Sequence, residues 1–90
     1  MNKILVKELV NKGWIFKPHN FNSVYDLLIF GDYNLMADTS SWLMLDGKDG
    51  RVFDIHNPDD YEAPWTANLV MKLVDMDIRL RRNDKIENIL

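Results

Sequence analysis

Two residues, Gly31-Asp32, separate one run of β-forming residues, Val24 to Phe30, from another, Tyr33 to Asp38. A link this short joins antiparallel neighbours, because parallel strands need a crossover of about a dozen residues or more. Glycine at the first turn position takes positive φ without a Cβ clash, as a two-residue hairpin requires. Setting Phe30 opposite Tyr33 aligns Leu28 with Leu35 and Leu27 with Met36. Phe30, Tyr33, Leu28 and Leu35 then share the face expected to be buried. Next, Trp42 to Asp46 and Arg51 to His56 flank the turn-rich tetrad Gly47-Lys48-Asp49-Gly50. The simplest register there sets Asp46 opposite Arg51, Met44 opposite Phe53 and Trp42 opposite Ile55. The pattern is an antiparallel meander of four strands, or five if Trp14-Ile15-Phe16, stopped by Pro18, joins an edge.

Helical spacing brackets this meander. Over Met1 to Lys12, Leu5, Val6, Leu9 and Val10 recur on one side, with Asn2 as the starting cap and Gly13 at the left-handed stop. Toward the C-terminus, Leu69, Val70, Leu73, Met76 and Leu80 form an apolar stripe, and Asp75–Arg79 and Asp77–Arg81 are spaced as i,i+4 ion pairs. Thr66 is the expected cap, Trp65 the staple onto Val70, and Arg82 the approximate end, with residues 83–90 a frayed tail. Because residues 74–80 also alternate strictly, a strand there is the competing expectation. Between sheet and helix, Asn57-Pro58 is expected to start one helical turn that Pro64 halts. The predicted fold is α+β: a four- or five-stranded antiparallel meander with N-terminal and C-terminal helices packed on one face, in a single domain over residues 1–90.

The 90 residues, 47% of them hydrophobic, suit one small globular core. Zero cysteines excludes disulfides, thiolate metal sites and cysteine nucleophiles, and fits a reducing compartment, with cytoplasmic the expected location. No run approaches the roughly 18 apolar residues of a membrane span, so no membrane association is expected. Nor is a cofactor: neither a Walker A sequence nor GxGxxG is present. Asp46-Gly47-Lys48-Asp49-Gly50 fails as a calcium loop, since placing Gly50 at the required glycine puts Leu45 at the first ligand position.

Charge is unevenly spread. The net charge is +3 over residues 1–22, −7 over 23–62 and +1 over 63–90. Six acids fall between Asp46 and Glu62, interleaved with Phe53 and Tyr61 and followed by Trp65. Acids steer a basic partner and exposed aromatics anchor it, so Asp49, Asp54, Asp59, Asp60, Tyr61, Glu62 and Trp65 are the expected partner-binding residues. Trp42, Tyr61 and Trp65 are expected to stay partly exposed, leaving an apolar patch that also suits a homodimer. The expected function is a non-enzymatic protein-binding module, a regulator or inhibitor that occludes a basic, nucleic-acid-binding surface of a partner protein. Two alternatives are a small enzyme or metal site centred on His56 with Asp54, Asp59 and Asp60, and a nucleic-acid binder using Arg79, Arg81, Arg82 and Lys85. The overall charge of −3 argues against the second of these.

Overall fold

Asn2 starts the first helix as its side chain predicts: Oδ1 accepts from the amides of Ile4 at 2.8 Å and Leu5 at 3.3 Å. In the computed structural model, which describes residues 2–18, 26–37 and 42–89, this helix is α1 (Lys3–Asn11). Side chains at 59 and 82–89 are outside the description, as are His19, Val24, Tyr25, Asp38 and residues 39–41 altogether. After α1 come β1 (Ile15–Lys17), β2 (Asp26–Phe30), β3 (Tyr33–Ala37), β4 (Trp42–Gly47) and β5 (Gly50–His56). A single 3-10 turn (Pro58–Asp60) then leads into α2 (Ala63–Ile89). The sheet order is β1-β2-β3-β4-β5 with every neighbour antiparallel, so the meander has five strands and the fold is α+β.

The first hairpin has the expected register, Phe30 opposite Tyr33 and Leu28 opposite Leu35. Gly31 takes φ +58° while Asp32 does not go positive, the pattern of a mirror-image turn with glycine first. The second hairpin departs from the simplest register. Asp46 does face Arg51, but an irregularity between Leu45 and Asp46 then pairs Leu45 with Phe53, Met44 with Asp54, Leu43 with Ile55 and Trp42 with His56. Without that extra residue, Leu43 would face Asp54. The bulge places Leu43 and Ile55 together on the buried face, and a one-residue slip would turn every side chain over.

Both helices pack on the face that carries Leu28, Leu35, Leu43, Leu45 and Ile55, and they meet there in one core with Leu5, Leu9, Trp14, Val70 and Val74. Each such leucine contributes roughly 1.5–3 kcal/mol when fully buried. Trp14 ties the layers together. Its ring stacks on Phe30 at 5.2 Å, and its indole N–H points to the Met71 sulfur at 3.1 Å. The opposite sheet face carries Lys17, Leu27, Met36, Met44 and Asp54 in one row across the five strands.

Residues 74–80 are helical, which settles the strand alternative, and the helix extends beyond Arg82 to Ile89. Three expectations for α2 change. Pro64 lies in its first turn instead of halting the preceding one, where the missing amide costs no hydrogen bond. Thr66 is inside the helix, buried, with its hydroxyl donating to the Glu62 carbonyl at 3.2 Å, so it is not the cap. Trp65 does not staple Val70 but lies half exposed. The buried stripe is Ala67, Val70 and Val74, continued by the partly buried Asp77 and Arg81. Met76 and Leu80 are 58% and 60% exposed, although both belong to the stripe read from the sequence.

Two outcomes follow for stability. Gly31→Val is expected to lower stability by more than about 1 kcal/mol in chemical denaturation, for backbone reasons alone, since nothing lies within 4 Å of an added Cβ. Val74→Ala is expected to cost on the order of 2 kcal/mol, and Leu80→Ala about 0.5 kcal/mol or less.

Candidate functional site

The chain leaves β5 through Asn57, whose φ of +51° is a left-handed value that asparagine tolerates better than most residues. That reversal starts the 3-10 turn, where the Asp60 amide donates to the Asn57 carbonyl at 3.0 Å. Tyr61 then returns to extended backbone, and α2 begins two residues later. The result is a stacked pair: the Tyr61 and Trp65 rings lie 4.9 Å apart at 28°, a geometry worth about 0.5–1.5 kcal/mol beyond area burial. Even so, 49% of Tyr61 and 51% of Trp65 remain exposed. Asp60 and Glu62 flank Tyr61 in the chain, are both exposed, and make no ion pair among the described residues. Glu62 also suits the positive end of the α2 dipole.

The seven expected partner-binding residues therefore divide. Asp60, Tyr61 and Glu62 are consecutive and exposed, Trp65 stacks on Tyr61, and Asp59 lies in the same turn. Asp54 is bound by Arg51, which also holds Asp46, so both carboxylates are engaged within the sheet. Asp49 accepts from Arg81 Nη1 at 2.7 Å. It also lies beyond the opposite end of β5, roughly 20 Å of strand from the 3-10 turn. Spacing along the chain could not reveal this, because the partner Arg81 is 32 residues away.

Trp42 is exposed as expected and meets His56 edge-on, ring centroids 4.2 Å apart at 65°. This pair closes the same end of the sheet from which the Asp60 turn departs. Among the described residues no group of three or more His, Asp or Glu is placed to hold a metal ion. Arg79 pairs with Asp75 at 3.0 Å, and Arg81 is engaged by two acids. No described helix is long and apolar enough to cross a membrane.

A second feature lies where α2 meets the two hairpin turns. The Tyr33 hydroxyl donates to Asp77 Oδ2 at 2.6 Å, and Arg81 Nε donates to the same oxygen at 2.8 Å. Burial, and then the hydrogen bond and charge of Asp77, push the Tyr33 hydroxyl up to about 12. The Tyr33 hydrogen bond, with help from Arg81, holds the Asp77 carboxyl below its ordinary value. Gly47 leaves room for this junction, since a Cβ there would lie 3.3 Å from the Tyr33 ring and 3.2 Å from Arg81 Nη2. Beside it opens a pocket of about 380 Å³ lined by Phe30, Tyr33, Lys48, Ile78 and Arg81 together with the Gly31-Asp32 turn. By sequence pattern Tyr33 belongs to the buried hairpin face and Asp77 with Arg81 is an i,i+4 pair, with nothing to connect the two. The missed signal was that a buried tyrosine hydroxyl needs a partner.

Because the Tyr33 pKa is higher folded than unfolded, the stability it contributes is complete below about pH 10 and lost as pH rises through about 12. Tyr33→Phe is expected to cost about 1–2 kcal/mol at neutral pH and to remove that alkaline component, as denaturant midpoints followed across pH would show.

No protein-family model, curated protein or solved structure matches the chain.

Proposed function

We propose that this chain is a small, non-enzymatic, cytoplasmic protein-binding module, a regulator or inhibitor that docks on a basic surface of a partner protein. The observation that carries the reading is the exposed Tyr61–Trp65 stack framed by Asp60 and Glu62. Stacking already orders both rings, so little side-chain entropy remains to be lost on docking. Large aromatics buried at the centre of an interface supply most of its binding energy, while acids at the rim guide the encounter and favour basic partners. The mechanism is occlusion: the stack covers apolar surface while the acids satisfy cations that otherwise bind phosphates. Asp49 and Asp54, spent on Arg81 and Arg51, stabilise the fold and stand outside this docking set.

The test is capture on the immobilised chain, followed by rate measurements on the captured protein across a salt series. Asp60→Asn with Glu62→Gln is expected to slow association several-fold and flatten its salt dependence, leaving dissociation nearly unchanged. Trp65→Ala is expected to speed dissociation by about tenfold or more. Wild-type rates in both variants would refute the docking role.

A further inference from the structure

The cavity of about 380 Å³ between α2 and the two hairpin turns has no part in the docking reading, and it lies at the opposite end of β5 from the turn that carries Tyr61. Its size falls at the lower end of the range for small-molecule sites, about 300–1,000 Å³. Phe30 and Tyr33 enter it from the two strands of the first hairpin, Ile78 from α2 and Lys48 from the β4–β5 turn. The walls are apolar and held in place. Phe30 stacks on Trp14, the Tyr33 ring is fixed by the bond from its hydroxyl to Asp77, and Ile78 packs against the core. The polar groups on the helix side are already matched, since Tyr33 and Arg81 both donate to Asp77 and Arg81 also binds Asp49. A guest there meets apolar surface, and Gly31, which also lines the cavity, has no side chain to close it. The solvent side differs. Asp32 and Lys48 are both exposed and opposite in sign, and neither side chain has an ion pair among the described residues.

We propose that this cavity binds a free amino acid with a large apolar side chain. The side chain enters between Phe30, Tyr33 and Ile78, the carboxylate meets the Lys48 ammonium, and the α-ammonium meets the Asp32 carboxylate. Opposite charges on one rim select such a guest by rejection as well as by attraction. A plain carboxylate gains Lys48 but faces Asp32, and a plain amine gains Asp32 but faces Lys48. An uncharged guest gains from neither. The zwitterion uses both charges, while burial of its apolar part supplies the driving force. Because Trp14 and Asp77 already order the two rings, little side-chain entropy is lost on binding.

Chemical-shift titration of the isotope-labelled full chain with L-phenylalanine tests this. The amides of Gly31, Asp32, Tyr33 and Lys48 are expected to shift together and to saturate, with a Kd on the order of 1 mM or tighter. Hydrocinnamate, which lacks the ammonium, and phenethylamine, which lacks the carboxylate, are each expected to bind about threefold or more weakly. L-Alanine, which keeps both charges without the ring, is expected to give no saturation. Lys48→Met is expected to weaken phenylalanine by about threefold and to leave phenethylamine no weaker. Asp32→Asn is expected to weaken phenylalanine likewise and to leave hydrocinnamate no weaker. Both positions are exposed, so circular dichroism is expected to stay native. The absence of a saturable shift at these amides overturns the proposal. Equal binding of the three aromatic compounds, or binding indifferent to both substitutions, overturns it as well.

Discussion

The hydrogen bond from the Tyr33 hydroxyl to Asp77 sets the rotation of α2 about its own axis. The helix has apolar residues on more than one side, so hydrophobic burial alone leaves its rotation poorly determined. A buried hydroxyl costs about 1–3 kcal/mol if unpaired, and Asp77 satisfies it only in the rotation that turns Val70 and Val74 inward. Arg81 strengthens the choice by donating to both Asp77 and Asp49, which joins the helix to the β4–β5 turn. Gly47 permits the close approach, since a side chain there would crowd the Tyr33 ring.

Once that rotation is set, the rest of the surface follows. Met76 and Leu80 turn outward, and Trp65 joins them at the head of the same stripe. The acids separate into those paired with arginines and those left exposed beside aromatic rings. Asp46, Asp49, Asp54 and Asp77 are held by arginines within the chain. Asp60 and Glu62 flank exposed aromatics at the turn into α2. Exposed ion pairs of the first kind contribute little individually, about 0–1 kcal/mol each.

Local rules made most of the fold legible in the sequence. The Asn2 cap, the two-residue Gly31-Asp32 turn and the register of the first hairpin depend on neighbours a few residues apart, and each appears as expected. The second hairpin was half legible. Its turn and the Asp46–Arg51 pair were readable, but a four-residue turn allows more than one register, and burial of Leu43 and Leu45 selects the bulged one. The exposure of Trp42, Tyr61 and Trp65 was also readable, because a two-layer domain of this size has too little interior for every large ring.

What the sequence by itself determined is the kind and order of elements: periodicity, caps and turn chemistry act over a few residues and carry their meaning locally. Tertiary structure decided which α2 residues are buried, which acids pair within the chain and which stay exposed beside aromatic rings. Those outcomes depend on Tyr33 meeting Asp77 across 44 residues and Asp49 meeting Arg81 across 32. An ion pair or a buried hydroxyl has no sequence period, so its partner is known only when the packed layers bring the two side chains together.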